Sequence, residues 1–228
     1  MSPTSKIVPN IMCSITGNPK SGKTHLALTF PKPLAIFSFD IGLERVIRHF
    51  DPKDFTIHTY PMPITTSSKS KGLGKEIQAM WSKFNDEYIA ATEDPEIKTL
   101  VVDTGTAVYE IVRLAKAAEL GNESLLRFQY GDVYARMRGL LQRARVAGKN
   151  LVITHYLKDE YVNDAATGEK ILDGWKYTEA EVDVALRTAH VMTKKGQEVT
   201  NKIVTTILLN GYDFSVSGAE IENCTYDD

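Results

Sequence analysis

"GNPKSGKTHLALTF", residues 17–30, decides how the rest of the chain is read. A glycine, four residues, and then Gly22-Lys23-Thr24 is the spacing of a phosphate-binding loop. "NIMCSIT" (10–16) precedes it, a short apolar run that predicts a buried strand ending at Gly17. "KTHLALTF" follows, with helical spacing, and is stopped by "PKP" at 31–33. Glycines at 17 and 22 let the backbone wrap so that successive N–H groups face an anion. Lys23 would reach the terminal phosphates and the Thr24 hydroxyl would bind Mg²⁺. The candidate nucleotide-binding residues are therefore Gly17, Asn18, Pro19, Lys20, Ser21, Gly22, Lys23, Thr24 and His25, with ATP and Mg²⁺ as cofactors. A plain glycine turn before a helix is the alternative, and the strand-before, helix-after setting counts against it.

Outward from the loop, apolar strands alternate with helices. "LAIFSFD" (34–40), "FTIHTY" (55–60), "KTLVVDTG" (98–105) and "NLVITHY" (150–156) predict strands. "EIQAMWSKFNDEYIAAT" (76–92), "TAVYEIVRLAKAAEL" (106–120) and "DVYARMRGLLQRARVAG" (132–148) predict helices. The last of these puts Val133, Met137, Leu140, Leu141 and Ala144 on one stripe. "EVDVALRTAHVMT" and "NKIVTTILLNGYDF" predict a closing β pair around the turn "KKGQ". The expected fold is α/β: a mostly parallel central sheet flanked by helices, with a C-terminal antiparallel β pair. A single domain over 1–228 is expected, with a loose lead-in at 1–10 and a mobile Gly/Ser/Lys-rich loop at 63–75.

Composition narrows the setting. The chain has 228 residues, 43% of them hydrophobic and 25% charged, with a net charge of -2. That is ordinary globular composition, and any nucleic-acid surface must be a local patch. Cys13 and Cys224 are far apart and offer neither a disulfide framework nor metal-ligand spacing, which fits a reducing, cytoplasmic compartment. No apolar run approaches the roughly 20 residues of a membrane span, so no membrane partner is expected.

Parallel sheets place ligands at the C-terminal ends of their strands, so residues just past each strand are the further candidates. Asp103, ending "TLVVD", would hold Mg²⁺ through its water shell. Asp40 and Glu44 in "FSFDIGLERV" are both candidates for polarising an attacking water; a strand-end cap and a solvated helix residue are their plainer roles. His155, ending "LVITH", would sense the terminal phosphate, if it is not simply a satisfied structural residue. Lys23, Asp40, Glu44 and His155 make up the candidate catalytic set. Beyond them, 156–181 interleaves Tyr156, Tyr161, Trp175 and Tyr177 with Lys158, Lys170 and Lys176, a pattern suited to stacking on single-stranded bases. The alternative is a β-hairpin with "NDAATGE" at its tip and its aromatics packed on the body. Arg136, Arg138, Arg143 and Arg145 form either a solvated face or a phosphate-facing strip. Arg187, Lys194 and Lys195 are candidates for a finger reaching a neighbouring subunit's nucleotide.

"GNPKSGKT", "FSFD", "TLVVDTGT", "YGDVYARMRGLLQRAR" and "NLVITHYLKDEY", in this order over residues 11 to about 212, resemble phage-encoded P-loop nucleotide-binding proteins with a RecA-like core, some of them single-strand annealing proteins. The resemblance implies an ATP-binding RecA fold, Gly17 to Thr24 as the Walker A loop, Asp103 as Walker B and His155 as sensor. It further implies DNA-facing segments near 121–132 and 156–180, and a host-cytoplasmic location. Such cores usually carry a catalytic glutamate two residues past the acid that ends the second strand. Here that place is Gly42.

The expected function is ATP-gated binding and annealing of single-stranded DNA in phage recombination or replication, with slow hydrolysis. A homo-oligomeric ring or filament would carry it out, with a single-strand DNA-binding protein as a further partner. A nucleoside or nucleotide kinase and a nucleotide-gated interaction module with little hydrolysis are the alternatives.

Overall fold

Residues 10–62, 73–195 and 198–228 are described by the structure, a computed structural model, with the side chains of all of these except 193–195, 198 and 199. The expected lead-in lies outside them apart from Asn10, and so does the loop expected at 63–75 apart from its last three residues. Those three open a helix that starts earlier than its periodicity predicts.

The chain runs β1 (Met12–Gly17), α1 (Lys23–Ala27), β2 (Leu34–Ser38), α2 (Leu43–Ile47), β3 (Phe55–Thr59), α3 (Leu73–Glu93), β4 (Thr99–Asp103), α4 (Gly105–Glu119) and α5 (Tyr130–Val146). It continues through β5 (Asn150–Val162), β6 (Ala165–Asp173), α6 (Thr178–Glu181), β7 (Val184–Lys195), β8 (Glu198–Asn210) and β9 (Glu220–Glu222). The strands order as β3-β2-β4-β5-β1-β7-β8-β9, with β6 paired to β5 off that path. Pairing is parallel from β3 to β7 and antiparallel in β7-β8-β9 and β5-β6. The expected α/β class, mostly parallel sheet and C-terminal antiparallel pair are all present.

Helices on both faces explain the apolar strands. β1, β2 and β4 are buried at every position, so none of them has a solvated face, and even the polar Ser14 and Thr16 of β1 lie inside. On one face α3, α4 and α5 pack Phe84, Tyr88, Val112, Met137 and Leu140 against Phe37, Val102 and Ile153. The five-residue stripe expected on α5 is buried there. On the other face α1 and α2 supply Leu26, Ala27 and Leu43, packed with Ile15, Ile36, Val152 and Leu186. Helix α1 is short: its last residues, expected to be helical, form turns before Pro31.

Two strands outrun the sheet beside β1. β5 pairs with β1 only as far as His155, then forms a hairpin with β6 from Tyr156↔Asp173 to Val162↔Ala165. Its turn is Asn163-Asp164, with φ of 51° and 63°, which matches the two-residue turns that tolerate such residues. β7 pairs with β1 as far as Thr188 and then continues with β8. Both arms leave the sheet at the edge where the glycine-rich loop lies. The segment 156–181 is therefore mainly a hairpin.

Candidate functional site

The loop is shaped by its neighbours on β7 and β8. A Cβ on Gly17 would sit 2.5 Å from the Thr188 carbonyl oxygen and 2.7 Å from its hydroxyl, so only glycine admits this approach. Gly22 has φ 92°, and a Cβ there would come within 2.8 Å of the Ile203 side chain. The Ser21 and Thr188 hydroxyls are hydrogen-bonded at 2.8 Å. Lys23 is buried, and its Nζ donates to the carbonyls of Gly17 at 3.0 Å and Asn18 at 2.9 Å. The same ammonium lies 4.7 Å from the centre of the Tyr156 ring. Burial lowers the Lys23 pKa, while Asp103 and Asp40 pull it upward.

A cavity of about 500 Å³ opens over the loop. Its walls include residues 19–25, Asp40, Ile41, Arg45, Val46, His49, Asp103, Tyr156 and Ile203. Asp103 is buried at its floor and accepts from the Thr24 hydroxyl at 2.9 Å; the Thr154 hydroxyl donates to its other oxygen. Burial raises the Asp103 pKa, and the bonds from Thr154 and Thr24 oppose this. A desolvated carboxylate beside a threonine hydroxyl is the donor set that Mg²⁺ takes when phosphates and waters complete its shell. Among the described residues no group of three His, Cys, Asp or Glu is placed to hold a metal unaided, so any ion here would depend on the nucleotide for its remaining ligands.

Residues 9–206 match the family model described as an AAA domain. The chain belongs to the AAA domain family. AAA domains are nucleotide-binding P-loop NTPases in which Mg²⁺ usually accompanies the nucleotide, and the loop, the hydroxyl and the buried acid are disposed as that chemistry needs. No curated protein is similar enough to add a relative to this match. No helix among the described residues is long and apolar enough to cross a membrane.

Within this AAA domain the other candidates separate sharply. Of the two acids, Asp40 lines the cavity, whereas Glu44 is exposed on α2 outside the lining. Asp40 accepts a hydrogen bond from the Tyr156 hydroxyl. Burial, with Asp40 next, pushes the Tyr156 phenol well above its ordinary range.

His155 is not brought to the cavity. Successive strand residues face opposite sides of the sheet, so Thr154 and Tyr156 reach the site and His155 cannot. It lies in a row with Thr16 and Arg187 on the α4 face, with its Nδ1 3.4 Å from the Ser14 hydroxyl. Its Nε2 is buried without a hydrogen-bond partner and stands 2.5 Å from where a Cβ on Gly105 would be. Burial holds its pKa down to about 3, so the ring is neutral. At this strand end it is Tyr156, one residue later, that lines the cavity.

The arm after it also differs from a basic aromatic platform. Trp175, expected to stack on bases, is fully buried in the core beside Val182 and Ala185, because the chain returns to the body after β6. Lys158 is paired with Asp173 at 3.2 Å and Lys170 with Asp159 at 2.5 Å, both across the hairpin. Tyr161 remains 64% exposed, and Lys176 lies 4.9 Å from the centre of the half-exposed Tyr177 ring. The α5 arginines 136, 138, 143 and 145 pair with Glu119, Glu181, Glu93 and Asp183, forming a paired surface and not a phosphate strip. Arg187 is half-buried on the sheet face with its Nε buried, a poor stance for a finger. The side chains of Lys194 and Lys195, the other finger candidates, lie outside those described.

Sequence reasoning missed Thr154, Arg45, His49 and Ile203. Thr154 carried a signal, since it has the strand parity of Tyr156. The other three enter only through the packing of α2 and β8 over the loop.

Proposed function

We propose that this AAA domain is an ATP-dependent switch. It binds MgATP on the Gly17–Thr24 loop, turns it over slowly, and passes the nucleotide state to the β5-β6 arm, which engages single-stranded DNA. One observation carries the reading: Tyr156, the first residue of the arm, donates to Asp40 and lies against Lys23 inside the loop cavity.

Mg²⁺, when bound, would offset phosphate charge and orient the terminal phosphoryl group. Thr24 and Asp103 are the residues to hold it. Lys23 is pre-placed over the loop by two carbonyls that a phosphate would out-compete for its protons. Asp40 accepts the proton of the attacking water, in the place that Gly42 leaves without a carboxylate. Tyr156 occupies that acid until a ligand rearranges the site. An acid held by a phenol accepts a proton from water poorly, which fits slow turnover.

Engagement of DNA by the arm is supported by its exposed Tyr161, with exposed Tyr177 and Lys176 just past the arm where the chain rejoins the body. Annealing in phage recombination, within a ring or filament and alongside a single-strand DNA-binding protein, extends the reading through the resemblance alone. The internal pairing of Lys158 and Lys170 favours a second reading, in which the arm docks a protein.

Titration of a fluorescent single-stranded oligonucleotide, with and without a non-hydrolysable ATP analogue and across salt, tests the proposal. Binding that tightens with the analogue and weakens as salt rises is the expected result. Nucleotide binding with no DNA affinity at low salt leaves the protein-docking reading in its place.

A further inference from the structure

The AAA match ends at residue 206, yet the chain returns to the nucleotide loop after that point. β9 pairs with β8 at Val204↔Glu222, Thr205↔Ile221 and Thr206↔Glu220. Just past it, the Asn223 N–H donates to the Ile203 carbonyl at 2.8 Å. Asn223 has φ 51°, the left-handed region that reverses the chain's direction. Ile203 is the residue whose side chain lies against Gly22 in the loop. Three residues further on, the Tyr226 N–H donates to the Thr29 hydroxyl at 2.9 Å, and its ring packs on Phe30 at 4.9 Å between centroids. Thr29 and Phe30 close the turn that ends α1, the helix the loop leads into. Cys224, between these two attachments, turns into the apolar cluster shared with Leu26, Ala27 and Phe30.

We infer that residues 220–226 are a strap that positions the phosphate-binding loop. It is anchored to β8 behind Ile203 at one end and to the end of α1 at the other. Ile203 sets how closely β8 covers Gly22, and Tyr226 holds the far end of the loop-helix unit. A nucleotide that needs this loop geometry binds more tightly when the strap is seated. By linkage, the nucleotide then seats the strap by the same factor. Ile203 and Tyr226 are positioning residues here, and the inference rests on the nucleotide reading of the loop.

Two measurements on the full chain test it. The first is the dissociation constant of a fluorescent, non-hydrolysable ATP analogue. Tyr226→Ala and Ile203→Ala are expected to raise it on the order of three- to thirtyfold, the range found for residues that couple to a site without entering its chemistry. Tyr226→Phe keeps the ring and the backbone donor and is expected to match wild type. The second is the rate at which an aromatic disulfide reagent labels Cys224 in the wild-type protein. Cys13 is buried within the sheet on β1 and Cys224 only partly buried, so labelling reports on the strap. Saturating analogue with Mg²⁺ is expected to slow it by a factor similar to the loss seen in the alanine variants. Tight analogue binding with an unchanged labelling rate, or alanine variants with wild-type affinity, overturns the strap and leaves the nucleotide site standing. A wild-type protein that binds no analogue overturns both.

Discussion

The phenol of Tyr156 donates its hydrogen bond to the carboxylate of Asp40, across 116 positions of sequence. One residue begins an arm that leaves the sheet; the other ends β2's approach to the nucleotide loop. The contact ties an exposed projection to the acid proposed above as the general base. Tyr156→Phe removes only the hydroxyl and keeps the ring over Lys23. Analogue affinity should hold within about twofold, while the dependence of DNA affinity on nucleotide should shrink at least fivefold, a change of roughly 1 kcal/mol in coupling. Oligonucleotide titrations at saturating and zero analogue measure it, and undiminished coupling would separate the arm from the site.

Lys23 is buried and bonded to two loop carbonyls, so its removal costs the loop both charge and support. Lys23→Ala should weaken binding of a fluorescent ATP analogue by about 100-fold or more, since hydrogen bonds to charged partners are worth about 1.5–3 kcal/mol each. A thermal melt should still show a cooperative transition. Wild-type affinity in this variant would contradict the assignment of the cavity to a nucleotide.

The two acids of "FSFDIGLERV" are predicted to part company. Asp40→Asn should lower ATP turnover by about 10²-fold or more, the lower end for loss of a general base, with little change in binding. Glu44→Gln, on the exposed side of α2, should turn over ATP at the wild-type rate. Phosphate release assays distinguish them. Equal losses in both would return the choice to where the sequence leaves it.

His155 makes stability depend on pH in a known direction. Its pKa is held near 3 in the folded protein by burial, against an ordinary value of 6.5. Below pH 6.5 the unfolded chain takes up a proton that the folded chain refuses. The stability due to the neutral ring is thus complete above pH 6.5 and is lost as pH falls toward 3, at up to about 1.4 kcal/mol per pH unit. Asp103, whose pKa is raised by burial, acts in the opposite direction, so the test is a difference. Denaturant melts of wild type and His155→Gln at pH 7 and pH 5 should show the variant losing less on acidification. Parallel losses would mean that the imidazole is not the group responsible.

Trp175 and Tyr161 should behave oppositely. Trp175→Ala empties a fully buried site and should destabilise the fold by about 3–5 kcal/mol, visible as a lower melting temperature. Tyr161→Ala, at an exposed position on the arm, should shift stability by no more than about 0.5 kcal/mol and weaken oligonucleotide binding severalfold. A Tyr161 variant with unchanged DNA affinity would favour a protein ligand for the arm.

Sequence alone determined the loop and the sheet around it. The spacing of Gly17, Gly22, Lys23 and Thr24 is local, and so is the run of apolar residues that a strand needs when both its faces are covered. Asp103 was legible for the same reason, since it follows such a run directly. The α5 stripe was legible because its spacing repeats within a single helix. What the sequence left open was how the residues at the strand ends and in the loops face. Asp40 and Glu44 stand four residues apart, and only the way α2 packs puts one inside the cavity and the other in solvent. His155 and Tyr156 are neighbours, and the parity of β5 against β1 and β4 sends them to opposite sides of the sheet. Trp175 was left between stacking on bases and packing on the body, and the return of the chain after β6 decides for the body. Ile203 and Tyr226 gave no local sign at all. Their relation to Gly22 and Thr29 exists only because β8, β9 and the segment beyond fold back across the loop, a long-range packing that no window of sequence contains.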